Sequence, residues 1–153
     1  MKKLLSLVLS LVLCSALGAP VYAVGSNGDI TYPVDGGNIY FDAATGTITG
    51  CDNSLREVTI PNTIYGHTVI SIGSRAFNRL QNKVVFPSTL KRLENESLIG
   101  SSISPVFLPD GIEYIGDFAF SGFSGSIVIP SSVRQIGNGI ILSDKTHIPH
   151  RDR

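Results

Sequence analysis

Charge is scarce in this chain and it is balanced. Of 153 residues only 16% are Asp, Glu, Lys or Arg, and twelve basic side chains face twelve acidic ones. No net field exists to draw a polyanion, which excludes a nucleic-acid binder driven by electrostatics. Cysteine is nearly absent, with two in the whole chain, so a disulfide-stapled mini-protein is excluded. Alanine and glutamate are too few for a helical bundle. What the chain has instead is 16 glycines and eight prolines on a 42% hydrophobic background. That mixture predicts many short strands joined by turns, in a length suited to one domain.

Residues 1–23 differ from the rest. Lys2 and Lys3 precede an apolar run from Leu4 to Leu17, and Val21-Tyr22-Ala23 sets small residues at the −3 and −1 positions of a cleavage site. This is the pattern of a secretory signal peptide; the run is too short for a membrane span, which needs about 20 residues. Leu13 stands before Cys14 where a lipidation site requires a small residue. Removal of the signal takes Lys2 and Lys3 with it and leaves 130 residues with ten basic and twelve acidic groups. A secreted or cell-surface location follows, with no membrane span after cleavage. Cys51 is then the sole cysteine and reads as a small buried hydrophobe, with His67 the nearest histidine in sequence.

The rest is organised by a repeat. Val58-Thr59-Ile60-Pro61, Val84-Val85-Phe86-Pro87, Val106-Phe107-Leu108-Pro109 and Ile127-Val128-Ile129-Pro130 share one pattern, with prolines 26, 22 and 21 residues apart. A period in this range is the mark of a solenoid. Three residues after the proline stands an apolar position (Leu90, Ile112, Val133), and three further on another (Leu93, Ile115, Ile136). The first unit carries the same pair as Val69 and Ile72, displaced by five residues around Tyr65-Gly66-His67. Gly73, Gly116 and Gly137 come next, and Ala76-Phe77 and Ala119-Phe120 follow. Glu94 and Ser97-Leu98 fill those slots in the second unit, which predicts a distorted turn there.

Each residue type has a physical task in this reading. Val-x-Ile alternation is a strand with its first and third residues inward. Proline lacks an N–H and ends the ladder. Glycine supplies a turn with positive φ, and the phenylalanine fills the space between coils. Gly37–Asp42 and Thr45–Cys51 read as a β-hairpin turning at residues 42–46, a cap for the N-terminal end of the stack. The expected organisation is a signal peptide over 1–23, a capping hairpin segment over 24–57, repeats over 58–141, and a degenerate fifth repeat or truncated tail over 142–153, where Thr146-His147-Ile148-Pro149 is a faint further strand.

The Ile-Pro-x-x-Val-x-x-Ile-Gly-x-x-Ala-Phe signature, best seen from Pro109 through Ile112, Ile115-Gly116 and Ala119-Phe120, resembles the BspA-type leucine-rich repeats of bacterial surface and secreted proteins. The resemblance covers about residues 30–141. It implies a repeat solenoid, a leucine-rich repeat stack of short parallel β-strands with turn or 3-10 connections. It also implies a non-catalytic adhesion or binding scaffold.

Catalytic and metal chemistry find no pattern. Gly122-Phe123-Ser124-Gly125 departs from the nucleophile elbow because Ser126 stands where its last glycine belongs. Asp144, His147, His150 and Asp152 lie on a terminal segment without the rigid frame a metal site needs. No cofactor is implied. The outward second positions of the strands, Thr59, Val85, Phe107 and Val128, form the candidate binding face, because three of the four are apolar where a solvated face is polar. Lys91, Arg92, Glu113, Tyr114, Arg134 and Gln135 read as an ordinary solvated face. The expected function is an exported binding or adhesion module for an extracellular protein or glycan; the alternative is a truncated structural fragment of a larger surface protein.

Overall fold

The N-terminal end is built from alternating strands too short in apolar surface to stand alone, and they fold back on each other. In the computed structural model, which describes residues 23–25, 27–103, 105–123 and 127–140, β1 (Ile30–Val34), β2 (Gly37–Asp42) and β3 (Thr47–Cys51) form an antiparallel meander. The hairpin expected at residues 42–46 is β2–β3. Its turn is fixed by the Asp42 carboxylate, which accepts from the Ala44 N–H at 2.9 Å and the Thr45 hydroxyl at 2.6 Å. The outer strand β1 was not expected; it tolerates Pro33 because it lies at the sheet edge.

β3 is where the chain changes mode. One edge pairs antiparallel with β2, and the other pairs parallel with β7 (Ser71–Ile72). The ten later strands have two residues each. They are β4 (Val58–Thr59), β5 (Thr63–Ile64), β6 (His67–Thr68), β7, β8 (Val84–Val85), β9 (Arg92–Leu93), β10 (Val106–Phe107), β11 (Tyr114–Ile115), β12 (Ile127–Val128) and β13 (Gln135–Ile136). β3, β7, β9, β11 and β13 stack as one parallel ladder that brings Ile48, Ile72, Leu93, Ile115 and Ile136 into register. The Val-x-Ile-Pro strands form the opposite side as two separate pairs, β4–β8 and β10–β12. The molecule is a β-solenoid of about four turns closed at one end by the meander. No helix occurs among the described residues.

Burial follows the repeat. The first and third residues of all four Val-x-Ile-Pro motifs are buried, as are Leu90, Leu93, Ile112 and Ile115. The phenylalanines of the Ala-Phe pairs, Phe77 and Phe120, lie in the same core cluster. In three of the four units the proline carbonyl closes a turn: Leu90, Ile112 and Val133 donate their N–H to Pro87, Pro109 and Pro130 at 3.1 Å. This i to i+3 bond is why the next apolar position sits three residues on.

Two expectations are corrected. Gly73, Gly116 and Gly137 do not adopt positive φ. They are glycines because the neighbouring coil passes too close: a Cβ at Gly116 would fall 2.6 Å from the Asn95 nitrogen, and one at Gly137 would fall 2.5 Å from the Asp117 nitrogen. The left-handed positions lie two residues further, at Arg75, Glu96, Phe118 and Gly139, and again at Arg79, Gly100 and Gly122. Nor is the turn at Glu94 distorted. The Glu94 N–H donates to Ile72 at 2.9 Å, just as Gly116 donates to Leu93 and Gly137 to Ile115.

The polar steps also stack. The Asn95 Oδ1 accepts from the Asp117 N–H at 2.9 Å, and the Asp117 Oδ1 accepts from the Asn138 N–H at 2.6 Å. Among the described residues one buried side-chain polar atom is left over. The Ser97 Oγ has no hydrogen-bond partner, in the slot that alanine fills in the neighbouring units. An unpaired buried hydroxyl costs about 1–3 kcal/mol. Ser97→Ala is therefore expected to raise stability by about 1 kcal/mol, read as a higher urea midpoint at unchanged slope. A lower midpoint would refute the assignment.

Candidate functional site

The side of the solenoid built from the Val-x-Ile-Pro strands presents the four predicted residues outward, but not as one row. Thr59 on β4 pairs with Val85 on β8, and Phe107 on β10 pairs with Val128 on β12. No strand pairing joins β8 to β10. Thr59 is exposed and Val85 half-buried, while Phe107 and Val128 are 71% and 52% exposed. The structure thus brings the residues together two by two across a break.

The break has a sequence cause that the repeat reading passed over. From Phe77 to Val84 and from Phe120 to Ile127 the chain takes seven steps, but from Leu98 to Val106 it takes eight. The extra residue falls on the arc leading into β10, and Ile103 on that arc is buried in the core. A longer arc carries the following strand off the ladder of the coil before it. A groove of about 440 Å³ opens there, lined by Asn82, Lys83, Val85, Pro105, Phe107 and Pro109.

A second groove of about 440 Å³ lies between the meander and the first coil, bordered by Tyr32, Pro33, Asp35, Glu57, Thr59 and Lys83. Lys83 lines both grooves, so they are neighbours along the same side of the stack. The five-residue insertion in the first unit forms the β5–β6 hairpin, turning through positive φ at Tyr65 and Gly66. Tyr65 meets the Tyr32 ring edge-on at 5.6 Å between centroids. The insertion thereby steadies one wall of this groove.

The outer face of the long ladder is chemically different. Arg92 pairs with Glu94 at 2.7 Å and lies 4.0 Å from the Tyr114 ring centroid, and Lys91 approaches Glu113 at 3.6 Å. Four of its charges pair off in this way, as a solvated face allows. Arg75 and Glu96, on successive left-handed turns, pair at 2.5 Å.

Titratable groups elsewhere serve the framework. The Asp52 carboxylate accepts from the Tyr40 hydroxyl and from the Asn38 side chain and N–H, at 2.8 and 2.9 Å for the latter two. The Tyr40 hydrogen bond chiefly holds Asp52 below its ordinary range, and the same bond pushes Tyr40 up. Cys51 is half-buried against the core, and burial, followed by the Asp52 charge, pushes its thiol up to about 11. A thiol shifted in this direction is less readily ionised than a free cysteine, in keeping with a packing role. His67 is exposed on β6. No cluster of three or more His, Cys, Asp or Glu able to hold a metal occurs among the described residues. The signal segment over 1–22, Ser124, and the residues Asp144, His147, His150 and Asp152 lie outside the described residues. Among the described residues no helix is long and apolar enough to cross a membrane.

A family model described as the BspA type leucine rich repeat region matches residues 48–147 in six copies. The matched span begins inside β3, the strand that heads the parallel ladder. No curated protein and no solved structure matches the chain.

Proposed function

The chain belongs to the BspA-type leucine-rich repeat family, and we propose that it is an exported, non-catalytic binding or adhesion module for an extracellular protein or glycan partner. Export rests on Lys2-Lys3, the Leu4 to Leu17 run and Val21-Tyr22-Ala23, and accords with a family found generally on bacterial surfaces or in secretions. The non-catalytic reading rests on the repeat family, whose fold is typically a binding scaffold.

One observation carries the reading. Phe107 holds its ring 71% exposed beside Val128 and at the edge of a groove floored by Val85 and proline. A phenylalanine set in water loses the transfer free energy it would gain on burial, about 2–3 kcal/mol. An aromatic anchor over an apolar groove is the usual centre of an interface. The partner contacts Thr59, Val85, Phe107 and Val128.

The test is a panel of purified extracellular-matrix proteins and an immobilised glycan array, probed with the full chain and with Phe107→Ala. The side chain supports no core packing, so the variant folds. Loss of an anchor is worth about 2 kcal/mol or more, so binding to whichever partner the chain takes is expected to weaken about thirtyfold. Unchanged binding by Phe107→Ala would remove the strand face from the account.

A further inference from the structure

We infer that the groove between the N-terminal meander and the first coil is a second binding site, and that it takes a neutral, polyhydroxylated ligand: a segment of an uncharged saccharide. It is separate from the Phe107 surface apart from the shared Thr59 and Lys83 borders.

Ten carboxylates lie within the described residues, and seven of them accept a hydrogen bond or join an ion pair. The three that do neither are Asp35, Glu57 and Asp110. Two of those three, Asp35 and Glu57, border this one groove. Lys83 borders it too, and its ammonium is likewise without a partner among the described residues. Opposite charges that share a groove and still stay apart leave acceptors and a donor facing the same space. That space, about 440 Å³, falls in the range of small-ligand sites.

The mixture selects the ligand. The groove carries both signs, two carboxylates and one ammonium, so neither an anion nor a cation is matched along its whole length. A neutral molecule dense in hydroxyls satisfies both kinds of group, because each hydroxyl donates to a carboxylate and accepts from an ammonium or from the Thr59 hydroxyl. The remaining walls suit the apolar C–H faces of a sugar ring. Tyr32 contributes an aromatic ring, and Pro33, Val34 and Pro61 contribute rigid apolar surface. Tyr32 is already held by the edge contact from Tyr65, so little side-chain freedom is lost on binding.

The test uses short neutral oligomers of glucose, galactose, mannose and N-acetylglucosamine, titrated to millimolar concentration into the full chain while amide chemical shifts are followed. At least one oligomer is expected to shift the Asp35, Glu57 and Thr59 amides saturably. Asp35→Ala and Glu57→Ala should each weaken that binding about tenfold, the effect of one charge-assisted hydrogen bond, with the melting curve unchanged. Phe107→Ala should leave it untouched, which keeps this site separable from the strand-face reading. The inference fails if no oligomer moves those amides, if the shifts map elsewhere, if Asp35→Ala and Glu57→Ala bind as well as the parent, or if a lysine-rich peptide occupies the groove instead.

Discussion

Phe120→Ala is expected to destabilise the chain by about 3–5 kcal/mol, the range for emptying a buried aromatic site. Phe120 is 1% exposed and packs 5.9 Å from the Phe123 ring, centroid to centroid. Phe77 and Leu98 hold the equivalent slot in the two preceding coils, and all three are buried. In a solenoid each coil touches only its neighbours, so a cavity between coils loosens both sides of one interface at once. Against a typical total of about 5–15 kcal/mol, this loss should move the urea midpoint far down and broaden the transition. Phe118→Ala is the matched control. Phe118 stands two residues earlier in the same turn, 48% exposed and at φ 54°. Its removal should cost under about 1 kcal/mol. Equal losses at 118 and 120 would mean that the turn, not the filler, sustains the stack.

How far this architecture was readable depends on what each residue has to do. The inward positions were legible because burial demands apolar side chains, and the proline beside them pins the register. The continuous ladder was harder to see. Ile72, Leu93, Ile115 and Ile136 recur at 21, 22 and 21 residues, a steadier spacing than that of the prolines, but their strands are only two residues long and carry Arg92, Tyr114 and Gln135 between. A two-residue strand gives no alternation to detect. The left-handed turns were hidden for another reason: Arg75, Glu96 and Phe118 occupy a conformation that glycine usually marks. Backbone bonds between coils hold them there, as where the Glu96 N–H donates to Asp117 and the Phe118 N–H to Asn138.

The candidate face was legible as chemistry and not as geometry. Alternation alone placed Thr59, Val85, Phe107 and Val128 outward; Thr59, Phe107 and Val128 are exposed and Val85 is half-buried. That they divide two by two followed from a single extra residue before Val106, a detail that a search for regularity averages away. The groove at the meander was out of reach for a different cause. Tyr32 and Asp35 meet Glu57 and Lys83 only through the pairing of β1 with β2 and of β4 with β8, and β1 shows no alternation strong enough to predict.

Gly116→Ala is expected to cost about 1–3 kcal/mol, the range for overpacking a close contact, and its pattern against Gly100 tests why each glycine is present. At Gly116 the backbone φ suits any residue, but a Cβ would stand 2.6 Å from the Asn95 nitrogen and 2.8 Å from the Glu94 carbonyl carbon. Those are backbone atoms and cannot rotate away. The coils would have to part, lengthening the 2.8 Å bond from the Gly116 N–H to Leu93 that belongs to the long ladder. At Gly100 the case is reversed. The nearest atom to an added Cβ is 3.7 Å away, yet φ is +67°. Alanine there pays only the left-handed penalty of about 1–2 kcal/mol. The two mechanisms diverge on asparagine, which is larger than alanine but tolerates the left-handed region better. At Gly100, asparagine should therefore be milder than alanine; at Gly116, where space is the limit, it should be worse. Four denaturation curves decide the matter. The same order of severity at both sites would show that one cause, either conformation or crowding, governs both glycines.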